Sequence, residues 1–145
     1  MNGTVEIPEE IVERVRSLCQ ALPEVTVRVD QSLTSERSTA HSFDIRRRSF
    51  CLLVARAGTT GPPVSMLVLR ADPDEREGLV ASGHPFFAPR AGRDRIGVLL
   101  NDHTDWGEVS QLVTESYRIL APAKLSARLG PSTDVIEPRA NERQQ

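Results

Sequence analysis

Asp105-Trp106-Gly107-Glu108 opens a run whose apolar residues Val109, Leu112, Val113, Tyr117 and Leu120 fall at helical spacing, and Ala121-Pro122-Ala123-Lys124-Leu125 closes it. Asp105 followed three residues later by Glu108 is a capping-box pattern, and Pro122 has no amide hydrogen with which to continue a helical ladder. The reading is a C-terminal helix with one apolar stripe, continued as a short turn over 124–129. A stripe of this kind needs a second layer to lie on.

That layer is extended. Phe43-Asp44-Ile45-Arg46-Arg47-Arg48-Ser49-Phe50 predicts a hairpin, with β-type runs over 42–45 and 50–55 joined by the turn Arg46-Arg47-Arg48-Ser49. Gly58-Thr59-Thr60-Gly61-Pro62-Pro63 is a second turn, leading into the apolar run 64–70, and Ile96-Gly97-Val98-Leu99-Leu100 is a further strand. Val25-Thr26-Val27-Arg28-Val29 alternates apolar and polar as a half-buried strand does, whereas residues 30–42 are polar, without period, and read as a mobile loop.

Two more helices complete the set. The first starts near Pro8, carries Ile11, Val12, Val15, Leu18, Cys19 and Leu22 on one stripe, and stops at Pro23. The other is short, capped by Asp72 with Pro73 in its first turn, and closed by Gly83 in a left-handed conformation. His84-Pro85-Phe86-Phe87-Ala88-Pro89 is too proline-rich for regular structure, and residues 90–95 form a basic turn around Gly92. The expected fold is one α+β domain over residues 1–129: a twisted antiparallel sheet, the N- and C-terminal helices on one face, and the middle helix bridging the later strands. Residues 130–145, polar apart from Val135 and Ile136, read as a disordered tail.

Composition narrows the function by exclusion. The chain has 145 residues, 39% of them hydrophobic, and a net charge of −2, so no global field draws it to nucleic acid or anionic lipid. Seventeen of its eighteen basic residues are arginine, a bias that a GC-rich genome explains without a ligand. No apolar run is long enough to span a bilayer and the N-terminus lacks a signal-peptide pattern, which points to the cytoplasm. Cys19 and Cys51 are separate apolar positions and read as reduced core thiols.

No hydrolase, zincin or P-loop motif occurs, and Gly58-Thr59-Thr60-Gly61 lacks the lysine of a phosphate cradle. His41, His84 and His103 lie in separate segments without metal-ligand spacing, and Glu6, Glu9, Glu10 and Glu13 suit the positive end of a helix better than a cation. The chain is therefore expected to bind rather than catalyse, with no cofactor and no metal. Two basic turns, Arg46, Arg47 and Arg48 at a hairpin tip and Arg90, Arg93 and Arg95 around Gly92, are candidates to clamp phosphates. With aromatic residues at only 4%, duplex DNA suits such a clamp better than a stacked single strand. The alternative is a small apolar ligand held in a pocket near His84, Phe86, Phe87 and Trp106.

Several of these pieces together resemble the MmcQ/YjbR family of small bacterial proteins. They are Ala21-Leu22-Pro23 at the end of the first helix, the Phe43 to Phe50 hairpin, the step from Leu69 to Glu75, Asp105-Trp106, and Ser116-Tyr117-Arg118 followed by Ala121-Pro122 and Leu125. The likeness runs from Val12 to Leu129. It implies a CyaY-like α+β fold of the double-wing kind associated with DNA binding, and it brings no catalytic residues. Where that family places a glycine and a lysine in the hairpin, this chain has Arg47 and Arg48, which predicts a wider turn or another conformation.

Overall fold

The computed structural model describes residues 7–31, 39–56, 63–90 and 92–129. The expected tail at 130–145, most of the turn at 58–63 and the centre of the polar loop at 30–42 lie outside the described residues. Ten elements follow in the order α1 (Glu9–Gln20), β1 (Thr26–Gln31), β2 (Thr39–Ile45), β3 (Arg48–Arg56), β4 (Val64–Arg70), α2 (Pro73–Ser82), β5 (Phe86–Phe87), β6 (Arg95–Leu100), α3 (Trp106–Leu120) and α4 (Ala123–Ala127). The strands form one sheet in the order β1-β2-β3-β4-β6-β5, and every neighbouring pair is antiparallel. This is the expected α+β architecture. Among the described residues, no helix is long and apolar enough to cross a membrane.

Periodicity decides which face is buried. Leu67 and Leu69 of β4 lie opposite Val98 and Ile96 of β6, and Cys51 and Leu53 of β3 lie opposite Leu69 and Leu67. These side chains point to one face, where α3 packs over β3 and β4 with α1 beside it and α2 reaches β5 and β6. The stripe on α3 is Val109, Val113, Ser116 and Tyr117, with Leu112 and Leu120 at its margins. Asp105 caps this helix by accepting the Glu108 amide at 3.1 Å, and Asp72 caps α2 by accepting from Asp74 and Glu75.

A bulge in β3 shapes the core. Phe43 pairs with Cys51 but Asp44 pairs with Ser49, so Phe50 is the extra residue. Phe50 and Cys51 are consecutive, yet both are fully buried, because a bulge rotates one side chain out of strict alternation. The Phe50 ring meets Tyr117 edge to face, with centroids 5.4 Å apart. The backbone disrupted by the bulge is repaired from α3: the buried Ser116 hydroxyl donates to the Phe50 carbonyl and accepts the Arg70 amide at 2.8 Å. Tyr117 also donates its hydroxyl to the Pro23 carbonyl at 2.7 Å, tying the turn after α1 to α3.

Several local expectations need correction. The polar segment read as a loop contributes strand at both ends, since β1 runs to Gln31 and β2 starts at Thr39. β1 is an edge strand, and an edge does not require an apolar partner on both sides. Phe86 and Phe87, set between prolines, pair with Val98 and Gly97 as a two-residue strand. Gly83 closes α2 at φ 90° and ψ −162°, an extended positive-φ conformation reserved for glycine rather than the left-handed helical one. Cys19 and Cys51 are free and fully buried; a hydrogen bond between their thiols and the burial itself push the Cys51 thiol up, away from the reactive thiolate.

Candidate functional site

The β2–β3 connection is a two-residue turn, because Ile45 pairs directly with Arg48. Arg46 and Arg47 occupy it with φ of 52° and 70°. Two positive φ angles are what the tight, mirror-image hairpin turn demands, and glycine or asparagine normally supplies them. The turn is thus narrower than the missing glycine suggested, and two arginines bear its strain. Arg48 belongs to β3, not to the tip.

Strand register then collects the basic residues. Arg48 begins β3, Arg70 ends the antiparallel β4, and Arg95 begins β6 directly opposite Arg70. With Arg46 and Arg47 in the adjoining turn and Arg93 two residues ahead of Arg95, one end of the sheet carries six guanidiniums. Burial and the positive charges of Arg95 and Arg48 lower the pKa of Arg70, against the opposing pull of Asp94.

This basic end has counterions. Asp94 lies in the turn just before β6, 2.7 Å from Arg95 and 3.6 Å from Arg70. Burial works against its charge, but Arg95 first and then Arg70 hold the carboxyl below the usual aspartate value. Arg46 pairs with Glu24 at 3.1 Å, and Glu24 itself has φ 61°. Arg47, Arg48 and Arg93 form no ion pair among the described residues and are exposed. On the neighbouring strands Arg28 lies 3.5 Å from the buried Asp44, and the Ser42 hydroxyl donates to Asp44 at 2.7 Å.

Arg90 lies elsewhere. It lines a groove of about 570 Å³ on the sheet face opposite the helices, together with Phe87. Neither Arg93 nor Arg95 lines that groove with it.

The four residues expected to form an aromatic pocket are also dispersed. His84 and Phe86 line a cavity of about 190 Å³ on the helix side of the sheet, together with Leu112 and Glu108. Phe87 points to the opposite face, as alternation along β5 requires. Trp106 lines a third depression beside Pro8 and Ile11, where the Arg14 guanidinium sits 5.3 Å from its ring centroid. Among the described residues no group of three or more His, Cys, Asp or Glu side chains is placed to hold a metal ion.

Sequence reasoning missed Arg70 and Asp94 because neither stands in a basic run; only pairing between β4 and β6 brings them together. Fold and site together define a small open-sheet α+β domain with an arginine-rich strand end. Within that class the chain belongs to the YjbR family, whose model matches residues 20–119. No curated protein and no solved structure matches it.

Proposed function

We propose that the protein is a non-enzymatic binding module for duplex DNA, which it holds by its phosphates at the basic end of the sheet. The observation that carries this reading is the register that sets Arg48, Arg70 and Arg95 on the ends of three adjacent strands beside the Arg46–Arg47 turn. Like charges gathered this way repel unless a counter-charged partner is bound, and a projecting hairpin turn reaches a groove that a flat sheet does not. The strained turn fits the same reading, because left-handed arginine is retained where glycine would be easier.

Asp94 and Glu24 limit the strength of binding. With three to four phosphates engaged, log affinity should fall against log salt with a slope of about −3 to −4. Replacing Arg46, Arg47 and Arg48 together by alanine should flatten that slope by about 2 to 3. Asp94→Asn, which removes the internal competitor for Arg70 and Arg95, should strengthen binding. Fluorescence anisotropy with a labelled duplex across a salt series reads all three, and no binding at low salt overturns the reading. The small-ligand alternative at His84 and Phe86 has only about 190 Å³ of cavity, below the range of roughly 300–1,000 Å³ usual for ligand pockets.

A further inference from the structure

Among the described residues, no helix packs on the second face of the sheet. α1, α3 and α4 bury their apolar residues against the core on the opposite side, and Leu79 and Val80 of α2 pack there too. On the other face, register aligns Leu52 with Val68, and Val54 with Met66, which in turn lies opposite Leu99. Together with Phe87 these side chains floor a groove of about 570 Å³, a volume typical of a small-molecule site.

The walls of the groove are as informative as its floor. Phe87, Ala88 and Pro89 rise on the β5 side. Phe87 is seated over Gly97, where any side chain would collide with its ring. Among the described residues, the charged ones that line the groove are Arg56 and Arg90, and no carboxylate accompanies them. Both are exposed and form no ion pair among the described residues. An apolar floor of this size with two unpaired guanidiniums at its rim complements a molecule with an apolar body and a single anionic group.

We infer that this face binds a small amphipathic carboxylate, its apolar body on Leu52, Val54, Met66, Val68 and Leu99 and its carboxylate at one of the two rim arginines, Arg56 or Arg90. Arginine presents paired N–H donors that match the two carboxylate oxygens, and its alkyl stem covers apolar surface on the way to the rim. None of the six strand-end arginines lines the groove, so the inference does not rest on DNA binding.

The test is calorimetric titration of the full chain with decanoate, alongside decyltrimethylammonium and decanol. Decanoate should bind saturably at one site and the cation at least about tenfold more weakly, since charge-assisted hydrogen bonds are at stake. Arg56→Gln combined with Arg90→Gln, both at exposed positions, should weaken decanoate by about tenfold while leaving decanol unchanged. Val68→Glu should abolish binding, with circular dichroism checking that the sheet persists. Equal affinity for decanoate and decanol, or no saturable binding, overturns the proposal. So does a dimer in sedimentation that Val68→Glu dissociates, which would mean that a second copy covers this face. Decanoate affinity that rises on removal of residues 130–145 would assign the face to the chain's own C-terminal segment and equally overturn it.

Discussion

Phe87 fills the space that any side chain on Gly97 would need, and the two residues are paired across β5 and β6. A strand of only two residues has little ladder to hold it, so the ring lying against bare backbone is what fastens β5 to the sheet. Gly97→Ala should therefore expel the ring and destabilise the fold by about 1–3 kcal/mol. Urea denaturation measures this. Adding Phe87→Ala should recover part of the loss, and strict additivity in that cycle would disprove the coupling.

Ser116 offers a sharper test of the core. Its hydroxyl serves two backbone groups at once, donating to the Phe50 carbonyl and accepting from the Arg70 amide. Ser116→Ala should destabilise by about 2–4 kcal/mol, because two polar groups lose this partner at once. A loss below about 1 kcal/mol, within the range of a single ordinary hydrogen bond, would show that the strands close over the gap.

The Arg46–Arg47 turn should behave in the opposite sense. Left-handed backbone costs a non-glycine residue about 1–2 kcal/mol, and Arg47 sits at φ 70° without an ion pair among the described residues. Arg47→Gly should therefore stabilise the protein, by about 0.5–1 kcal/mol once glycine's greater freedom in the unfolded chain is subtracted. The same variant should bind duplex DNA more weakly. A gain in folding with a loss in binding is the signature of strain kept for a purpose.

His41 sets a pH dependence. Burial lowers its pKa, Arg16 lowers it further, and Glu9 opposes them; its Nδ1 is enclosed without a protein hydrogen-bond partner. The folded chain then holds fewer protons than the unfolded one at pH values below about 6.5. The stability contributed by neutral His41 is fully present above that value and is lost as pH falls through the depressed folded-state pKa. Thermal melts between pH 7.5 and 5 should decline, and His41→Gln should flatten the decline. An unchanged slope would assign it to other groups.

The helices were legible because their signals are local. Asp105 and Pro122 bracket α3, Asp72 and Pro73 open α2, and the stripes recur every three or four residues. Ser116 was not legible as a core residue, since a hydroxyl on a buried stripe makes sense only beside the Phe50 bulge. The facing ends of β1 and β2 carry no apolar period, because β1 is an edge strand that tolerates polar residues on both faces and the start of β2 pairs with it. At the basic end, Arg46, Arg47, Arg48, Arg93 and Arg95 stand out along the chain. Arg70 and its counterion Asp94 are joined only by strand register, and Arg90 is parted from Arg93 by the path of the chain over the groove. The near-continuous apolar run from Val64 to Leu69 did carry a signal for the open face, because a strand covered on one side alone would alternate.

The bulge at Phe50 acts as a change of phase within a single strand. Residues 51–56 keep step with β4, whereas Arg48 and Ser49 keep step with the end of β2. The sheet therefore has two independent frames, and the one-residue offset between them is locked by a hydroxyl from a helix. Deleting Phe50 would merge the two frames, with Cys51 still opposite Phe43 and Ser49 still opposite Asp44 but no offset between them. The arginine at the strand end would keep its side, and the loss would fall on α3, whose Tyr117 ring and Ser116 hydroxyl would both be left without their partner in β3.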